Sequence, residues 1–267
     1  MATPPVKSRT ASIAAKTTSS RTASTRTRTV APKTTRTPMS KLKPKTRRKA
    51  RPKIEASHEP PVRFAGDDYA RARRWLMKRD PRLAEIMKRV GSCRMAAYLR
   101  GDTFSALVES IVSQQLSVKA AETIYGRIRK LVEPDEHVSP ANVLALTPDQ
   151  LRGAGLSRAK AMFVHDLAQK ITDRTLVLEE LEHLTDEAVI RALSQVKGIG
   201  RWSAQMFLIF RLNRPDVWPI GDLGIVRALE RFHGLRKTPT LHRLHKMGDD
   251  WRPYRSVAAW YLWHNTA

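Results

Sequence analysis

Beyond about Pro61 the apolar residues recur on a helical period, broken by short polar runs, and no stretch alternates apolar and polar residues as a half-buried strand would. The pattern predicts helices over residues 68–78, 104–114, 118–132, 157–171, 186–194, 201–212, 223–232 and 254–263. Two further helix starts are legible from their caps. Ser139 stands before Pro140, and Thr147 stands before Pro148 with Gln150 placed to complete a capping box. Connections are short, so an all-α, compact helical bundle is expected.

Two breaks in this pattern carry chemistry. The first is "SQQLS", Ser113 to Ser117, which interrupts the apolar run of residues 104–128 with four polar residues in five. It reads either as a helix-turn-helix corner capped by serines or as an exposed turn that presents amides and a wedge to stacked bases, and position alone does not choose. The second holds two glycines in "VKGIGRWSAQMFLIF", residues 196–210. Its G-x-G-x-x-S spacing is like that of a dinucleotide loop, but a helical pattern precedes it where that loop requires a strand. A helix, a tight glycine turn and a second helix remain. In such a turn, free N–H groups at the second helix start and the missing side chains favour a phosphodiester as ligand.

Charge adds a second region. The 267-residue chain carries a formal net charge of +24, and the first 54 residues hold sixteen Lys or Arg and no acid. With almost no large apolar side chain this segment cannot offset its ordering entropy, so residues 1–57 are expected to be a disordered Lys/Arg-rich tail and residues 58–267 the folded domain. Such a polycation attracts polyanions in a salt-dependent way. An organelle transit peptide has a similar composition, and "KPKTRRKARPK", residues 43–53, resembles a nuclear signal. The expected compartment is therefore nuclear or organellar in a eukaryote, and cytoplasm and nucleoid in a bacterium. No run is apolar enough for a membrane span. Cys93 is the one cysteine, which excludes an intrachain disulfide and a four-cysteine iron–sulfur cluster. His242 and His245 are three apart without further ligands nearby in sequence, so no metal site is expected.

"LSQVKGIGRWSAQMFLIF" resembles the helix-hairpin-helix of the DNA glycosylase superfamily, and "WPIGDLGIVRAL", residues 218–229, is similar to its aspartate segment. "SQQLS", "AGLSRAKA" and "WRPYRSVAAWYLW" are similar to the branch that excises alkylated purines, the 3-methyladenine DNA glycosylases. The resemblance spans roughly residues 104–264 and leaves out the basic tail. It implies a helical bundle of two subdomains with the hairpin motif, acting as a monomer on double-stranded DNA that contains alkylated bases. It calls for no cofactor, although relatives hold a monovalent cation on hairpin carbonyls.

The resemblance makes Asp222 the catalytic carboxylate. An arbitrary Asp there would simply cap the helix that follows, and the two roles are compatible because a helix N-terminus favours the anion. An anion beside the sugar stabilises an oxocarbenium-like transition state. The resemblance also implies that Asp222 orients or deprotonates the attacking water. Charge stabilisation ranks first, since the same cap makes a weak base. Where lyase relatives carry a nucleophilic Lys, this chain has Trp202, and Lys197 lies before the glycines, so a hydrolase without strand nicking is expected.

The base pocket then falls to Trp202, Met206 and Trp263, where Met206 departs from an aromatic family position. Ordinary core packing is the plainer reading of both tryptophans. The wedge falls to Gln115 or Leu116, and the backbone amides of Gly198, Gly200 and Trp202 to one DNA phosphate. Arg252 and Arg255 read equally as phosphate ligands or as charges flanking the last helix, with Tyr254 and Trp260 as packing residues. Two rivals remain: an oxidised-base glycosylase with lyase activity, and a catalytically silent hairpin protein that binds DNA.

Overall fold

The computed structural model describes residues 63–98, 101–132 and 137–265. The expected basic tail lies outside them. Twelve α-helices occur among the described residues, with 3-10 turns at Met95–Tyr98, Leu178–His183 and Asp249–Trp251, and no strand is found there. The helices are α1 (Asp68–Arg79), α2 (Pro81–Val90), α3 (Thr103–Ser113), α4 (Val118–Leu131), α5 (Pro140–Ala145), α6 (Pro148–Gly153), α7 (Arg158–Thr172), α8 (Asp186–Leu193), α9 (Arg201–Phe210), α10 (Leu223–His233), α11 (Leu241–Met247) and α12 (Arg255–His264).

All eight helices expected from periodicity are present, and local chemistry sets their starts. Ser139 accepts from the Asn142 N–H, and Thr147 and Gln150 form the full capping box. Helix α2 was not expected. Its stripe of Leu83, Ala84, Ile86 and Met87 is buried, and the Asp80 carboxylate caps it by accepting from the N–H groups of Arg82 and Leu83. Asp80 before Pro81 is the same cap-plus-proline signal as Ser139 before Pro140, so the start was legible.

The helices pack in two groups: α5 and α6 lie on α7, which also meets α3 beside α4, while α1, α2 and α10 gather around α12. Both groups share one continuous apolar core, in which each fully buried Leu or Ile contributes about 1.5–3 kcal/mol. Helix α12 runs through it, with every residue from Ser256 to Leu262 buried. Ser256 Oγ accepts from Val217 N–H at 2.9 Å, and Tyr261 donates to the Gly91 carbonyl at 2.8 Å. These bonds fix the depth of α12 and so place Trp263 at its far end.

Candidate active site

The glycine turn links α8 to α9 and is braced from α7. A Cβ on Gly198 would lie 2.1 Å from Phe163 Cδ2, and Gly198 has φ +80°, so ring and backbone both demand glycine. Beside it the Lys197 N–H donates to Asp166 Oδ2 at 2.9 Å. Burial disfavours the charge on Asp166, but hydrogen bonds from Lys170 and from that N–H outweigh it and hold the carboxyl below the usual aspartate range. Gly200 differs. A Cβ there would meet nothing within 4 Å, and its φ of −93° is open to any residue. Gly200 is also the N-cap of α9, which has no side-chain cap. The fold does not require the second glycine, and its absent side chain leaves the exposed start of α9, at Arg201 and Trp202, open to close approach.

Asp222 caps α10, with Oδ1 accepting from the Ile225 N–H at 2.8 Å. Two indoles complete its surroundings. Trp263 Nε1 donates to Oδ1 at 2.9 Å, and Trp202 Nε1 donates to Oδ2 at 2.8 Å. All three donors are neutral, so the acid is held without being neutralised. A carboxylate offers about four lone-pair sites, and three are taken, which leaves one direction on Oδ2. Gly224 makes room for this cluster: a Cβ there would stand 2.9 Å from Asp222 Oδ1 and 3.3 Å from Trp263 Cδ1.

One face of α9 continues from this cluster through Trp202, Met206 and Phe210 at successive i, i+4 positions. Trp202 is 42% exposed, whereas Met206 and Phe210 are partly buried against the core. The Phe210 ring faces Trp263, with centroids 5.7 Å apart and planes 31° from parallel. The structure thus brings Trp202 and Trp263 to Asp222 and sets Met206 one turn from Trp202. Phe210 was missed, although its i+4 relation to Met206 was the signal for it.

The turn between α3 and α4 lies beside the hairpin, because Gln114 Nε2 donates to the Gly198 carbonyl at 2.9 Å. Gln115 and Leu116 at its tip are exposed, and Gln115 takes the left-handed φ of +59°. Lys197 precedes the two glycines, with Nζ 4.0 Å from Asp166 Oδ1.

The two arginines of "WRPYRS" are engaged within the fold. Arg255 sends Nε and Nη2 to the two carboxylate oxygens of Asp216 at 2.8 Å each, and its side chain is only 12% exposed. Arg252 reaches the same carboxylate at 3.1 Å and Asp249 at 3.3 Å, but stays largely exposed. Arg255 is thus committed to the fork on Asp216, while Arg252 keeps an exposed guanidinium. Tyr254 packs between Phe64 and Trp75, and Trp260 is buried and stacked on His264.

Comparisons with known proteins identify the family. The family of HhH-GPD superfamily base excision DNA repair proteins matches residues 108–253. DNA-3-methyladenine glycosylase 1 of Schizosaccharomyces pombe is 34% identical over 186 residues, covering 69% of this chain and 82% of that relative. Among solved structures, the 3-methyladenine DNA glycosylase of S. pombe in complex with abasic DNA superposes with a TM-score of 0.61 at 33% identity, covering 72% of this chain and 95% of that one. The Bacillus halodurans DNA-3-methyladenine glycosidase gives 0.66, also at 33% identity, with 76% and 92% covered. No described helix is long and apolar enough to cross a membrane. The chain belongs to the HhH-GPD superfamily of base excision DNA repair proteins, in its 3-methyladenine DNA glycosylase branch.

Proposed function

We propose that the protein is a monofunctional DNA glycosylase that flips alkylated purines such as 3-methyladenine and 7-methylguanine out of duplex DNA and removes them by hydrolysis, acting as a monomer. The observation that carries this reading is Asp222, a carboxylate fixed by three neutral N–H donors at the end of the Trp202, Met206 and Phe210 face. Alkylation makes the base cationic and a ready leaving group. The N-glycosidic bond breaks with its electron pair going to the base, while the Asp222 anion stabilises the positive charge that develops on the sugar. Water then bonds to C1′, and its proton leaves through the remaining Oδ2 lone pair or to solvent.

Other residues act before the chemistry. Trp202, Met206 and Trp263 wall the flipped base, with electron-rich rings favouring a cationic purine. Gln115 and Leu116 fill the gap left in the stack. The amides of Gly198, Gly200 and Trp202 hold one phosphate, which positions the enzyme without reading sequence. The turn between α8 and α9 offers neutral main-chain carbonyls, a donor set that fits a monovalent cation, which would add positive charge toward that phosphate. The Gly198 carbonyl already accepts from Gln114 and the Val196 carbonyl from the Ile199 N–H, so each would offer such an ion its second lone pair. With Trp202 in place of a Lys and Lys197 beside Asp166, neither position presents an amine for a Schiff base. By its charge alone, the basic segment 1–57 adds salt-sensitive attraction to DNA outside the folded domain 58–267.

The test is incubation with methylated DNA. Release of 3-methyladenine with abasic sites that break only after alkali supports the proposal. Breakage without alkali supports the lyase reading, and intact bases the silent binder. Removal of residues 1–53 is expected to flatten the salt dependence of binding while turnover at saturation persists.

A further inference from the structure

The turn that carries Gln115 and Leu116 is held from outside by a lysine of α7. Lys160 Nζ donates to the carbonyls of Val112 at 2.8 Å and of Gln114 at 2.6 Å. These oxygens belong to the last turn and C-cap of α3, where a helix leaves carbonyls without intrahelical partners. Neighbouring carbonyls are satisfied locally: Ser110 accepts from Ser113 Oγ at 3.0 Å, and Ser113 accepts from the Leu116 N–H at 3.1 Å. An ammonium at this end also complements the α3 dipole. Partial burial of its head group against these oxygens lowers the Lys160 pKa.

The next residue, Gln115, has the left-handed φ of +59°, which is costly for a side chain with a Cβ and persists only where the surroundings impose it. Two constraints converge on its predecessor. The Gln114 carbonyl is held by Lys160, and the Gln114 side chain is held by the Gly198 carbonyl. The helix that bears Lys160 also bears Phe163 and Asp166, which brace the hairpin. Helix α7 therefore carries the supports of both the wedge turn and the phosphate grip.

We infer that Lys160 is a positioning residue for base flipping: it locks the backbone before Gln115 so that Gln115 and Leu116 stand ready to enter the base stack. The inference rests on the proposed reading of this turn as the wedge. Lys160 acts on the turn and not on the reaction, because two of its three N–H donors are spent on main-chain oxygens of α3. A preorganised wedge matters where a base must leave a duplex and not where the strand is already single.

The experiment compares excision of one alkylated purine from duplex and from single-stranded oligonucleotide by the full chain and its variants Lys160→Met and Lys160→Arg, with 2-aminopurine beside the lesion to report unstacking. Lys160→Met is expected to lower the duplex to single-strand ratio on the order of ten-fold and to suppress the 2-aminopurine signal. Lys160→Arg, which can still donate to both carbonyls, is expected to recover most of the loss. An equal loss on both substrates would overturn the inference by reducing Lys160 to general packing. A Gln115→Ala/Leu116→Ala variant separates the two levels. If it loses duplex preference while Lys160→Met keeps it, the positioning role is wrong and the wedge stands; if neither loses it, the wedge reading fails and this inference with it.

Discussion

Trp202 on α9 and Asp222, the N-cap of α10, are joined by an indole N–H that reaches Oδ2 at 2.8 Å. The tryptophan therefore has an edge that orients the acid as well as a ring that can wall the pocket. Trp202→Phe keeps an aromatic ring but loses the donor together with the five-membered half of the indole. A hydrogen bond to a charged group is worth about 1.5–3 kcal/mol, so single-turnover excision should slow by about ten-fold or more. A rise in KM at unchanged kcat would place Trp202 in binding alone.

Asp222→Asn is expected to reduce excision by on the order of 10²–10³-fold or more, the scale of losing one electrostatic partner of a developing charge. Affinity for lesion DNA should persist, as read by a gel shift alongside base release. Full activity in this variant would refute the mechanism.

Gly224→Ala tests the room around the acid. The new methyl would press on Asp222 Oδ1 and on the Trp263 indole, so one of them must move. Overpacking of this kind costs about 1–3 kcal/mol. Because the displaced atoms are the acid and its donor, kcat should fall well beyond what a modest drop in melting temperature explains.

The hairpin glycines should separate in experiment. Gly198→Ala meets both a left-handed backbone and the Phe163 ring, and should destabilise the fold by about 2–4 kcal/mol. Gly200→Ala meets open space and an ordinary φ, so its melting should stay within about 1 kcal/mol of the parent while DNA affinity falls. Denaturant melts paired with binding isotherms check both.

Features governed by near neighbours were legible in the sequence. The caps at Ser139 and Thr147, the Asp222 cap and the glycine turn depend on residues a few positions away, and all are present. Helix α2 and Phe210 were readable by the same rules and were passed over. What the sequence did not disclose depends on distant partners. The Arg255 fork closes on Asp216, 39 residues earlier, and the Lys160 clamp closes on carbonyls 46 and 48 residues earlier. Nor does spacing tell which edge of an indole faces an acid. The aromatic positions around Asp222 were therefore visible while the hydrogen bonds of Trp202 and Trp263 were not.

Asp166 makes the hairpin brace sensitive to acid. Its folded carboxyl titrates below the ordinary value of about 4, so between the two values the unfolded chain binds more protons and stability rises with pH. The contribution is complete above about pH 4 and is lost as pH falls through the folded value. Asp166→Asn should flatten the acid limb of stability between those values and leave the slope near neutrality unchanged, as read from denaturant midpoints across pH.

The unequal surroundings of the two glycines also constrain how related sequences can drift. Position 198 is held twice, by the ring at position 163 and by its own left-handed backbone, so a lineage that shrinks Phe163 still keeps the glycine. Position 200 has no such internal counterpart. Selection can preserve it only through whatever docks on the first turn of α9, and a lineage released from that ligand should show substitution at 200 while 198 stays glycine.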